Sequence, residues 1–163
     1  MSSELKNLSF YDASVVPDAS NLKIGIVVSE WNDKITNSLA EAAINTLLYH
    51  NIKKNNIIVS YVPGSFELPK GAKNLIDKAE CDAIICLGCV IQGETRHFEF
   101  ICQAVAQGIM KLNIKSKVPV IFGVLTTDNQ QQAEERAGGK FGNKGVEAAV
   151  AAIKMALPVY HSL

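Results

Sequence analysis

Apolar residues along this chain fall into two alternating spacings. Four stretches, Lys23–Val28, Ile57–Val62, Ala83–Ile91 and Val118–Leu125, are apolar with little alternation, as expected of strands covered on both faces of a parallel sheet. Between and after them the spacing lengthens to that of helical stripes. Ile35, Leu39, Ala42, Ala43 and Leu47 form the first; Leu68, Ala72, Leu75, Ile76 and Ala79 the second. Phe98, Ile101, Cys102, Val105, Ile109 and Leu112 form the third, and Val146, Ala149, Val150, Ile153 and Leu157 the last.

Local punctuation places the boundaries. Asn32 or Asp33 is suited to cap the first helix, Pro63-Gly64-Ser65 reads as a turn, and Pro69 is tolerated in a first helical turn. Gly93 marks the joint between the third strand and a helix beginning near Glu94 or Thr95, and Pro119, near the start of the fourth strand, fits a first-residue or edge position. Thr127-Asp-Asn-Gln130 has capping-box spacing, with a short helix through Arg136 to a Gly138-Gly139 stop. Strand and helix thus alternate four times with short joints. This predicts an α/β fold: a flavodoxin-like three-layer sandwich with a four-stranded parallel sheet and helices on both faces. Residues 1–22 lack a sustained period and read as an arm outside the main fold, able to dock on a neighbour; residues 23–163 form one domain.

In such sheets ligands gather at the carboxyl ends of the strands. The unusual residues stand near those ends: Trp31-Asn32, Gly64-Ser-Phe-Glu67 and Gly93-Glu-Thr-Arg-His97. The stretch from Cys86 to Glu99 runs from a buried strand into a helix whose first turn offers unpaired N–H groups to an anion. His97 would lie there, where an imidazole can exchange a proton near neutral pH. The plainer reading is a surface histidine in a first helical turn.

Composition narrows the partners. The chain has 163 residues, 48% of them hydrophobic and 20% charged, with 16 basic and 16 acidic side chains. No net field invites nucleic acid or an anionic membrane, so a small ligand or another protein is expected. No run suits a bilayer span and Met1–Phe10 lacks a signal-peptide core, making the cytoplasm the expected address. Cys86-Leu-Gly-Cys89 has the spacing of a redox pair but lies on a predicted strand, where residues three apart face opposite ways. Buried thiols are expected instead. No second cysteine or histidine pair completes a zinc site.

Five blocks carry a family resemblance: Val62-Pro-Gly-Ser-Phe-Glu-Leu-Pro69, Gly88-Cys-Val-Ile-Gln-Gly-Glu-Thr-Arg-His97, Pro119-Val-Ile-Phe-Gly-Val-Leu-Thr-Thr127, Glu135-Arg-Ala-Gly138 and Gly142-Asn-Lys-Gly145. In order and without an obvious gap from about Lys23 to Leu157, the chain resembles the lumazine synthases. That family condenses 5-amino-6-(D-ribitylamino)uracil with 3,4-dihydroxy-2-butanone 4-phosphate into 6,7-dimethyl-8-ribityllumazine, the penultimate step of riboflavin synthesis. The resemblance implies no cofactor and no metal. It makes His97 the proton-transfer residue. Glu94, Thr95, Arg136 and Lys144 fall around the phosphate, and Trp31, Ser65, Phe66, Glu67, Cys89, Val90, Ile91 and Phe122 around the pyrimidine and ribityl chain. Phe122 and Arg136 are implied to come from the adjacent subunit.

Read without the resemblance, Arg136 only complements a helix end, Glu67 does the same at a helix start, and Phe122 is strand core. Position 31 is usually phenylalanine in the family and Cys89 stands where small residues vary, but neither departure touches the acid–base chemistry. The resemblance further implies homo-oligomerisation into pentamers, and the compact Ala137–Lys144 connection is similar to that of members building icosahedral shells. Riboflavin synthase is the implied protein partner. The competing reading from another class is a non-catalytic flavodoxin-like module that binds a phosphate or flavin ligand; a third is a purely structural shell protein.

Overall fold

The computed structural model describes Asn7 and residues 9–157. Four parallel strands, β1 (Ile24–Ser29), β2 (Ile57–Val62), β3 (Ala83–Ile91) and β4 (Val120–Thr127), lie in the order β2-β1-β3-β4. The long helices are α1 (Asp33–Tyr49), α2 (Leu68–Lys78), α3 (His97–Lys115) and α5 (Lys144–Ala156); α4 (Gln130–Glu135) is short. A small antiparallel hairpin, β5 (Ala137–Gly139) and β6 (Gly142–Asn143), joins α4 to α5.

The expected three layers are present. One face of the sheet packs Ile24, Ile26, Val28, Ile85 and Leu87 against Leu39, Ala43 and Leu47 of α1 and Ala149 and Ile153 of α5. The other packs Val27, Ile84, Cys86 and Val124 against Leu68 and Ala72 of α2 and Val105 and Ile109 of α3. β1 is buried throughout, as its unbroken apolar run requires, whereas edge strand β2 is partly exposed. Burying a large aliphatic side chain contributes about 1.5–3 kcal/mol, so the two central strands and their facing helices dominate the favourable side of folding. α1 and α5 approach so closely that a Cβ on Gly145 would collide with the Leu39 carbonyl oxygen.

Several boundaries differ from those the pattern predicts. α3 starts at His97, not at Glu94 or Thr95, because the apolar stripe that anchors it begins only at Phe98; the preceding residues form bends. Gly93 meets no steric demand, since a Cβ there would touch nothing within 4 Å. β4 begins at Val120. α4 is capped by Asn129, whose side chain accepts from the Gln132 N–H at 3.0 Å, while Gln132 Oε1 accepts from the Asp128 N–H at 2.9 Å. The cap thus falls two residues after the predicted Thr127 position. Gly138 and Gly139 lie in the hairpin, which the pattern did not predict.

Residues 9–22 run along the subunit. Ser9 is hydrogen-bonded to Asn143, Tyr11 to His50, and Ala19 and Leu22 are buried in the α1 side of the core.

Candidate functional site

The chain passes from β1 outward to β2 and then returns to place β3 on the other side of β1. Their carboxyl ends diverge there and leave the crevice in which open α/β sheets hold ligands. A cleft of about 1000 Å³ occupies that position. It gathers Trp31 and Asn32 after β1, Gly64–Glu67 after β2, Cys89–Ile91 at the end of β3, and His97, Phe100 and Ile101 of α3. Nine-residue β3 delivers the cleft's backbone edge, and the helix that follows it delivers His97.

Each wall has a local cause. Asn32 stands at the N-cap of α1 in the left-handed region, φ 59°, yet its side chain makes no cap bond; Nδ2 donates instead to the Cys89 carbonyl at 2.9 Å. That bond ties the β1 lip to the β3 lip. The capping role expected of Asn32 is therefore replaced by a bridge. Trp31 continues the strand pairing, its N–H donating to the Pro63 carbonyl at 3.2 Å, and leaves its indole 74% exposed at the cleft. Ser65–Glu67 form a single tight turn, in which Glu67 Oε2 accepts from the Gly64 N–H at 3.0 Å.

Ser65 is buried with its hydroxyl unpartnered, and it lies against Gly88, where a Cβ would come within 2.6 Å of Ser65 Oγ. His97 heads α3 with its ring exposed, and its N–H donates to Thr95 Oγ1 at 3.4 Å. Aromatic Trp31, Phe66 and Phe100 supply flat apolar surface, and one imidazole and one carboxylate supply proton-transfer groups. This arrangement can hold a planar polar heterocycle and shuttle protons.

The structure thus brings together Trp31, Ser65, Phe66, Glu67, Cys89, Val90, Ile91 and His97. Glu94 and Thr95 are exposed in the loop before α3. Arg136, Lys144 and Phe122 lie elsewhere in the subunit. Arg136, the residue after α4, donates from Nη1 to the Phe141 carbonyl and from Nη2 to Glu147 Oε1, each at 2.7 Å. Lys144 Nζ donates to Glu147 Oε2 at 3.0 Å. One carboxylate therefore aligns two cations at the base of the hairpin, where the Lys144 N–H also donates to the Arg136 carbonyl at 2.9 Å. The guanidinium, largely out of water, forms a stronger pair than exposed ions do. Phe122 is exposed on edge strand β4.

Sequence reasoning missed Phe100, Ile101 and Glu147. Phe100 stands one turn beyond His97 and was recoverable from helical spacing; Glu147 was not, because its partners depend on the hairpin. Cys86 and Cys89 belong to opposite faces of the sheet, and burial pushes their thiols up to about 12 and about 11 respectively. Neither is a ready nucleophile. Among the described residues, no three metal-ligating side chains cluster, and no helix is long and apolar enough to cross a membrane.

Comparison with known proteins bears on this site. The family model described as 6,7-dimethyl-8-ribityllumazine synthase matches residues 21–159. Proteins of that name resemble the chain closely. That of Parabacteroides distasonis is 57% identical over 95% of this chain and 97% of its own length. The Cytophaga hutchinsonii protein is 60% identical with the same coverage, and the Porphyromonas gingivalis protein 56% identical over 96% of this chain and 97% of its own. With the match running from the first strand through the last helix, the chain belongs to the 6,7-dimethyl-8-ribityllumazine synthase family of enzymes.

Proposed function

We propose that this protein condenses 5-amino-6-(D-ribitylamino)uracil with 3,4-dihydroxy-2-butanone 4-phosphate into 6,7-dimethyl-8-ribityllumazine, with release of phosphate and water, in riboflavin biosynthesis. The observation that carries the reading is the cleft at the β1/β3 crevice, which gathers His97 with the aromatic side chains of Trp31, Phe66 and Phe100. Trp31 and Phe66 suit the pyrimidine ring, and Ser65, Glu67 and the Cys89–Ile91 edge offer it and the ribityl chain hydrogen-bonding groups. Joining amine to ketone, eliminating phosphate and closing the second ring needs alignment and proton transfer more than a strong nucleophile. His97 relays those protons. Around the phosphate, Glu94 and Thr95 offer their backbone N–H groups and Arg136 and Lys144 their charges, which stabilise it on departure.

Arg136 and Phe122 do not line the cleft of their own subunit, which favours a site completed by a neighbour. The outer face of α3 supports assembly: Phe100, Met110 and Ile114 are exposed there, Ile114 at 77%. The unit proposed is a homo-oligomer of pentamers, twelve of them forming an icosahedral shell, in the cytoplasm, with residues 1–22 as an arm and riboflavin synthase taking the product. Mixing the two substrates and following the fluorescent lumazine tests the reaction. His97→Asn should retain phosphate binding and lose about ten- to ten-thousandfold in turnover. Binding of both ligands without product would instead indicate a non-catalytic module.

A further inference from the structure

The cations proposed for the phosphate stand at the base of the β5–β6 hairpin, and that hairpin is gripped from two sides. From the N-terminal segment, Ser9 Oγ donates to the Asn143 carbonyl at 3.1 Å and accepts from the Asn143 N–H. Asn7 Oδ1 accepts from the Ser9 N–H at 3.0 Å and so fixes the turn that presents this hydroxyl. The turn sits directly on Gly142, φ 85°, where a Cβ would meet both Asn7 Oδ1 and Ser9 Oγ. From α1, Ser38 Oγ donates to the Ala137 carbonyl at 2.6 Å, and Asn143 Nδ2 donates to the Ser38 carbonyl at 3.3 Å. Asn143 Oδ1 is already used, accepting from the Gly145 N–H at 2.8 Å to cap α5.

Every polar group of Asn143 is thereby committed, and Asn143 is the residue before Lys144. Its strand partner Ala137 follows Arg136. We infer that Ser9 and Ser38 are positioning residues for the phosphate subsite, holding the two ends of the hairpin so that Arg136 and Lys144 present their charges at one place. A three-residue strand paired with a two-residue one has little stability of its own. Without the two hydroxyls, the hairpin would sample other positions, and the Arg136–Glu147–Lys144 array would be aligned only part of the time. A ligand must then meet the cost of ordering it, and apparent affinity falls by the fraction of time the array is competent. The inference rests on the reading that Arg136 binds the substrate phosphate.

The test uses the full-length protein in its native assembly, with inorganic phosphate as probe by calorimetry at 25 °C. Circular dichroism first establishes that each variant is folded. Ser9→Ala and Ser38→Ala should each weaken phosphate binding by about three- to thirtyfold and raise the KM of the phosphate substrate by a similar factor, with kcat held within about twofold. A merely structural hydroxyl would lower the melting temperature and leave the phosphate affinity of the folded protein as it was. Arg136→Ala is measured alongside. If Arg136→Ala weakens phosphate binding and both folded serine variants match the wild type, the positioning role is overturned and the phosphate site stands. If Arg136→Ala also leaves the affinity unchanged, the phosphate site itself is misplaced and the positioning role falls with it.

Discussion

At the scale of single residues, neighbouring groups fix how each candidate side chain meets a ligand. The guanidinium of Arg136 is fixed by a carbonyl and a carboxylate, so it meets an anion already oriented. Arg136→Ala should cost about 1.5–3 kcal/mol of phosphate binding and raise KM for the phosphate substrate, as calorimetry and steady-state kinetics will read. Trp31 is the chain's single tryptophan, which makes its emission a local report on the cleft. Stacking on a planar heterocycle contributes roughly 0.5–1.5 kcal/mol beyond area burial. Titration with the lumazine product or riboflavin should therefore quench the emission along a saturable curve, and Trp31→Ala should weaken binding with assembly intact. Unchanged emission at saturation, after inner-filter correction, would remove the indole from the pyrimidine site.

Among the elements, α4 and the hairpin matter more than their size suggests, because they connect the sheet edge to the two cations. Asn129→Ala removes a side-chain cap from a helix of six residues. The expected loss is about 0.5–2 kcal/mol in denaturant melts, with the helix end that carries Arg136 loosened. Phosphate affinity should fall with it. Helices α1 and α5 offer a sterner case. Gly145→Ala would push a methyl group into the Leu39 carbonyl, which cannot move without unseating α1. It should destabilise the subunit severely, by several kcal/mol, as overpacking against backbone does, and show as a lower melting temperature or insoluble expression.

For the whole molecule, the link between the N-terminal segment and α1 sets a pH dependence. His50 is buried at the end of α1, with Nε2 hydrogen-bonded to the Tyr11 hydroxyl at 2.9 Å and the Tyr49 ring edge-on. Burial lowers its basicity below the ordinary value of 6.5, and burial likewise raises Tyr11, keeping that hydroxyl protonated. Around pH 6.5 the unfolded chain therefore binds more protons at this position than the folded one, so stability falls as pH drops from above 6.5 toward the folded value. His50→Gln should flatten the decline in melting temperature over that window. Assembly supplies the other test at this scale: if subunits complete each other's sites, dissociation should abolish turnover. A fully active monomer in sedimentation and assay would exclude that arrangement.

What the sequence determined by itself is whatever depends on local period. Unbroken apolar runs marked β1 and β3 as strands buried on both sides, and the stripes of α1, α2, α3 and α5 marked the faces they bury, because side-chain direction repeats every two or 3.6 residues regardless of the rest of the chain. Motif blocks at strand ends located the cleft in the same way. The tertiary structure decided which polar groups meet. Asn32 stands at the expected cap position but gives its side chain to the Cys89 carbonyl, because β3 passes within reach. Glu147 gathered Arg136 and Lys144 because the hairpin folds back on α5. Ser9 met Asn143 across 134 positions of sequence. A hydrogen bond needs its atoms within about 3 Å, and no periodicity encodes that proximity; it arises only once the packed apolar faces have brought distant segments together.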